Sequence, residues 1–310
     1  MADIDGLIAR YRALVPSFLE MATDGKRILL VTHIDADGLC SGSSVFASLK
    51  RKGANVALRT VPDLDARTIA ALKDLGYEFY VFTDLGSTLV SELAAAFGDD
   101  FLVIDHHQIP QADMGSKNVV NAWAYGFDGG TEACSSGMAY FFAAALDGAN
   151  ADLSPLAVVG AVADRQDSGP GRSLTGLNRA ALGDAQSRGL MSVTTDLMFT
   201  GRETRPVHEA IALTSTPFLK GLTGGRDAVL ALLHQSGLPL KDGGTWRTVS
   251  SLSQDEKKKL VEVLAGVRRL VKQGFTVALD DFRWFEGAEA LFELASIVKL
   301  DLLELREEDR

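Results

Sequence analysis

The chain has 310 residues, 46% hydrophobic and 23% charged, the composition of a globular protein with a sizeable core and length for two domains. A net charge of −10 excludes coating of nucleic acid through bulk electrostatics, although a local basic patch can still hold phosphate. No run approaches the about 18 consecutive apolar residues of a membrane span. The acidic start is no basic leader, and Cys40 and Cys134 fit no zinc spacing, so a cytoplasmic protein with free thiols is expected.

Leu7, Tyr11, Leu14, Phe18 and Met21 recur at three- and four-residue steps, which predicts an amphipathic helix over residues 5–21. An α/β alternation follows. Strands are expected at 28–31, 56–61, 79–83, 101–104 and 119–121, with helices at 39–52, 65–75 and 88–97 between them. Such near-continuous apolar strands predict a Rossmann-like parallel five-stranded sheet flanked by helices. Helices at 135–146 and 156–164 complete a first domain over 1–190. A smaller, mainly helical domain is expected over 191–310. There 227–234 and 254–272 read as helices, the latter with Leu260, Val263, Leu264, Val267 and Val271 on one face. Residues 275–281 read as a strand and 285–300 as a helix, before a charged end.

The first strand runs into His33-Ile34-Asp35-Ala36-Asp37-Gly38. Crowded carboxylates repel unless a cation holds them, although an Asp-x-Asp at a strand end also suits a solvated turn or a helix cap. Later strands end alike, in Asp84-Leu85-Gly86 and Asp105-His106-His107, and Asp164 closes the apolar helix that contains Gly160. Parallel strands bring their carboxyl ends to one edge of the sheet, so these residues are expected in one crevice. Oxygen and imidazole donors without thiolate favour a hard or borderline ion such as Mn²⁺, and so many carboxylates suggest two ions that activate water against a phosphoryl group.

These four blocks, in this order, resemble the four motifs of the DHH phosphoesterases, a family that includes RecJ exonucleases, small-oligonucleotide phosphodiesterases and manganese pyrophosphatases. The resemblance covers about residues 25–170. The serine-rich segment Gly129 to Tyr140, the segment Gly201 to Pro206 and the segments around Leu219 and Trp246 are similar to the archaeal RecJ-like branch. The resemblance implies one Mn²⁺ on His33, Asp35 and Asp84 and a second on Asp37, Asp84, His106 and Asp164, with Mg²⁺ an alternative. It implies a hydroxide between the two as nucleophile. His107 then sits beside the scissile phosphate and Asp105 orients the imidazoles, both with catalytic roles, although plain support of the ligands suits the two equally. It also implies docking of the second domain onto the GINS replication complex.

Six arginines and no lysine lie between residues 165 and 205, with four acids among them and Asp164 just before. Arginine's planar fork suits phosphate, and Arg165 and Arg172 follow the last ligand most closely; a solvated, salt-bridged face is the competing reading. The glycine- and histidine-rich motif of the C-terminal substrate-binding domain usual in RecJ enzymes does not occur in the sequence. The expected function is Mn²⁺-dependent hydrolysis of single-stranded DNA or RNA, as an exonuclease in replication or repair. A GINS-binding scaffold and a phosphodiesterase for short oligonucleotides or cyclic dinucleotides are the alternatives.

Overall fold

The computed structural model describes residues 2–272 other than 195 and 217, together with the pairs 278–279 and 297–298. Two compact units divide it, 1–193 and 194–310. No helix among the described residues is long and apolar enough to cross a membrane.

The first unit opens with α1 (Ile4–Thr23), capped by Asp3, and then alternates β1 (Arg27–His33), α2 (Ala36–Arg51), β2 (Asn55–Val61), α3 (Ala66–Lys73), β3 (Phe79–Thr83), α4 (Val90–Phe97), β4 (Phe101–Asp105) and β5 (Val119–Asn121). All five strands are parallel, in the order β2-β1-β3-β4-β5. Both faces of the sheet are covered, and the two-residue period shows why the strands read as unbroken apolar runs. Ile28, Leu30, Val81, Leu102 and Ile104 pack under α1, α2 and α5 (Ser135–Leu146), whereas Leu29, Val31, Phe82, Phe101 and Val103 pack under α3 and α4. Next come α6 (Ser154–Ala163) and α7 (Gly176–Ser187), the latter burying Leu177, Ala181 and Ala185 at four-residue steps. The chain leaves β1 toward β2 on one side and reaches β3 on the other. A crevice therefore opens at the carboxyl ends of β1 and β3, where such sheets bind ligands.

The second unit contains α8 (Val207–Leu213), α9 (Arg226–Gln235), the hairpin of β6 (Lys241–Asp242) and β7 (Thr245–Trp246), and α10 (Gln254–Lys272). Phe199, Val207, Ile211, Val229, Leu233, Val249, Leu252 and Leu260 form its core. Within the expected strand at 275–281, β8 (Ala278–Leu279) pairs with β9 (Ile297–Val298). Residues 297–298 are therefore strand rather than the end of the helix expected at 285–300, two β-branched side chains favouring the ladder. The remainder of those two expected elements lies outside the described residues.

At the start of α10 the Glu256 carboxylate accepts from the Ser253 N–H at 2.7 Å, and the Ser253 hydroxyl accepts from the Glu256 N–H at 3.3 Å, a capping box. Arg247 grips the same carboxylate with two bonds of 2.6 and 2.8 Å. That grip, followed by the Ser253 N–H, lowers the Glu256 pKa to about 2. A depressed carboxyl adds stability above its ordinary value and loses it as pH falls toward the folded value. Glu256→Gln is expected to cost about 1 kcal/mol at pH 7, a charged hydrogen bond discounted for partial solvation. In pH-resolved urea melts the gap to the parent should close between pH about 4.5 and about 2.

Candidate metal centre

Strand β1 delivers His33 to the sheet edge, and two residues later Asp35 caps α2, its Oδ1 accepting the Gly38 N–H at 2.9 Å. The helix starts three residues earlier than its apolar periodicity predicts, because that cap precedes the first buried aliphatic turn. Asp35 does two things at once: its other oxygen lies 2.8 Å from His33 Nδ1. Burial raises the Asp35 pKa, but the Gly38 N–H and His33 outweigh it and hold the carboxyl below its ordinary range. Beneath the edge, the buried Thr32 hydroxyl accepts from Thr83 at 2.8 Å and donates to the Gly38 carbonyl at 2.6 Å, pinning β1, β3 and α2 together.

Asp37, in the first turn of α2, is 3% exposed. Its two oxygens accept the backbone N–H groups of Ser135 and Ser136 at 2.8 and 2.9 Å. The positive end of α5 thus supplies a donor to each oxygen of this buried carboxylate. Asp84 follows β3 with φ 63°, a left-handed conformation that Asp tolerates better than most residues. It is 3% exposed, and its Oδ1 has no hydrogen-bond partner, although His106 Nε2 is 3.3 Å away. Burial, with Asp37 and Asp105 repelling, pushes its pKa up to about 7 against the pull of His106.

At the end of β4, Asp105 is wholly buried and saturated with donors: the N–H groups of Ser87, His106 and His107, and His107 Nδ1 at 2.8 Å. Burial would raise its pKa, but His107 and the other donors hold it well below the ordinary range. His106 places Nδ1 2.6 Å from the Gly129 carbonyl, leaving Nε2 toward Asp84 and Asp37. Its burial opposes a charge, yet the carboxylates of Asp84, Asp37 and Asp105 push its pKa up to about 10. Asp164 caps the C-terminus of α6.

Donor atoms of His33, Asp35 and Asp84 lie within 4.8 Å of one another, as do those of Asp37, His106 and Asp164, and those of Asp84, Asp105, His106 and His107. An orphaned buried carboxylate oxygen amid this excess of anionic oxygen is the signature of a site completed by divalent cations, so the donor set fits them. Arg165 adjoins Asp164 with φ 60°, and Arg172, with φ 63°, is tied to Asp167 at 2.9 Å.

Several participants were not legible in the sequence. The N–H groups of Ser135 and Ser136 act through the main chain, which residue identity does not encode. Asn121 donates to Ser87 and to the His107 carbonyl, and Trp123 donates to the His106 carbonyl at 3.0 Å, fixing the loop that carries both imidazoles. Gln166 and Asn178 are fully buried amides on the far side of Asp164.

The family model described as DHH family, N-terminal domain, matches residues 27–163, and the DHH-CID domain model matches 199–281. By these two matches together the chain belongs to the DHH family, which includes metal-dependent phosphoesterases. It is 26% identical over 243 residues to an uncharacterized protein of Methanocaldococcus jannaschii, a match that covers 76% of this chain and 52% of the other. The chain thus spans about half the length of that curated relative. Among solved structures, CDC45 from Entamoeba histolytica aligns with a TM-score of 0.59 at 13% identity, over 85% of this chain and 57% of that one. A manganese-bound exonuclease RecJ aligns with a TM-score of 0.48 at 19% identity, over 87% and 71%.

Proposed function

We propose that the chain is a cytoplasmic Mn²⁺-dependent phosphodiesterase that hydrolyses single-stranded DNA or RNA, as an exonuclease of replication or repair. The observation that carries this reading is the pair of donor clusters, His33–Asp35–Asp84 and Asp37–His106–Asp164, linked where His106 faces the buried Asp84 oxygen that has no hydrogen-bond partner. His33, Asp35 and Asp84 would hold one ion, and Asp37, Asp84, His106 and Asp164 the other, with Mg²⁺ an alternative. When bound, such a pair activates water and offsets the charge that builds on a phosphoryl group.

The remaining work falls to the chain's own side chains. Asp105 engages Nδ1 of His107, so Nε2 of this half-exposed ring is the nitrogen available to donate to a phosphate oxygen. Arg165, next to Asp164, is the nearer candidate for gripping a neighbouring phosphate. Arg172 reaches one only by giving up Asp167. The test is digestion of end-labelled single-stranded DNA, RNA and short oligonucleotides with Mn²⁺, Mg²⁺ or chelator. Nucleotide release that chelator stops is expected, and no release from any substrate overturns the reading. A second reading, a scaffold that binds the GINS complex through residues of about 190–300, is favoured by the likeness in fold to CDC45; a pull-down that captures no GINS removes its support.

A further inference from the structure

Behind the metal centre runs a chain of buried hydrogen bonds whose direction is set by the backbone. The Cys134 N–H donates to Asn178 Oδ1 at 3.2 Å. A backbone N–H can only donate, so this contact fixes which end of the Asn178 amide is oxygen. Asn178 Nδ2 must then donate, and it does so to Gln166 Oε1 at 2.6 Å. That bond in turn fixes the Gln166 amide, whose Nε2 donates to Asp164 Oδ2 and to the Gly129 carbonyl, both at 2.8 Å. The same carbonyl accepts from His106 Nδ1 at 2.6 Å. Gln166 is 0% exposed and Asn178 1%.

The backbone is shaped to bring Gln166 there. Helix α6 ends in a Schellman turn: the Arg165 N–H bonds the Val162 carbonyl, the Gln166 N–H bonds the Ala161 carbonyl, and Arg165 takes the left-handed conformation at φ 60° that glycine usually fills. The reversal carries residue 166 back beneath the carboxylate of residue 164. Gly129 closes the other side, since a Cβ there would lie 1.9 Å from the His106 carbonyl oxygen. A left-handed arginine and two buried amides carry a cost in stability that packing alone does not call for.

We infer that Gln166 is a positioning residue: its amide, oriented by Asn178, aims Asp164 and, through the Gly129 carbonyl, holds His106 with Nε2 toward Asp37 and Asp84. The inference rests on the metal-centre reading. Its distinctive consequence is that Asn178, whose side chain bonds Gln166 and Cys134 and none of the six ligands, governs the ion held by Asp37, His106 and Asp164. In Asn178→Asp a carboxylate replaces the donor facing Gln166 Oε1. The glutamine amide must then turn over, presenting oxygen to Asp164 and to the Gly129 carbonyl.

Calorimetric titration of the full chain with Mn²⁺ tests this, alongside Gln166→Met, Asn178→Asp and the double variant, with thermal melting as the control for folding. The parent should take two ions. Each single variant should bind one of them about 10–100-fold more weakly and the other unchanged, as outer partners of ligands typically do. The double variant should be no weaker than Gln166→Met, since both changes cut one chain. Unchanged affinities, equal weakening of both ions, or losses that add overturn the inference and leave the metal centre standing. A parent that binds no Mn²⁺ overturns both. If Gln166→Met does not fold, Asn178→Asp decides by the same criterion.

Discussion

Asp84→Asn is expected to lower the proposed Mn²⁺-dependent hydrolysis by roughly 10³-fold, the rate equivalent of about 4 kcal/mol of lost transition-state stabilisation. Its carboxylate groups with His33 and Asp35 on one side and faces His106 on the other, so under the proposed assignment its loss touches both ions. The same change should stabilise the protein in chelator. Asp84 is 3% exposed, faces Asp37 and Asp105, and leaves one oxygen unbonded. Removing an ill-compensated buried charge is worth about 1–3 kcal/mol, or several degrees in a unit of this size. Asparagine also accepts φ 63° readily, so the backbone need not adjust. Calorimetric melts in chelator beside a Mn²⁺ nuclease assay would show the two effects in opposition. A variant that melts lower and keeps its activity would contradict the role given to Asp84.

Gly160→Ala should be among the most damaging single-methyl additions in the first unit. A Cβ at that position would lie 2.0 Å from Ser136 Oγ and 2.5 Å from Asp37 Oδ1, where α6 crosses α5 and α2. To relieve the clash, α6 must move outward or Asp37 must leave the two N–H groups that hold it. Overpacking of this kind costs about 3 kcal/mol, and displacement of Asp37 should weaken Mn²⁺ binding about tenfold or more. Gly183→Ala is the control. It lies exposed within α7 with nothing within 4 Å of its added Cβ, and should raise stability by up to about 1 kcal/mol through helix propensity. Equal melting temperatures for the two variants would sink the steric account.

The sheet was legible because its strands are buried on both faces, leaving unbroken apolar runs whose ends are marked by acids. The rule that parallel strands finish on one edge is enough to gather His33, Asp84, Asp105 and His106 into one crevice from sequence. The alternatives at Asp35, a cap or a ligand, are not separable from sequence, and the structure shows a carboxylate that caps α2 with one oxygen and faces His33 Nδ1 with the other. What stayed hidden acts through the backbone or through lone amides. Ser135 and Ser136 matter for their N–H groups, and Gln166 and Asn178 for a contact between a loop and a helix that no periodicity announces. Helix α8 and the hairpin of β6 and β7 are short enough to leave little pattern.

The tie between Asp37 and the first turn of α5 also bears on how the chain reaches its native state. The two partners are nearly a hundred positions apart, and the residues that meet at the crevice run from His33 to Asp164. Such distant pairings form late, because the entropy of closing long loops is lost before their contacts contribute. The alternating strands and helices up to β4 can collapse while their carboxylates are still solvated and free of mutual repulsion. Docking of α5 and α6 then draws the charges together. A nascent chain that has not yet extended through α7 should therefore hold secondary structure with weakened affinity for the ion proposed on Asp37, His106 and Asp164, and the arrival of Asn178 should mark the point at which the full affinity of that position emerges.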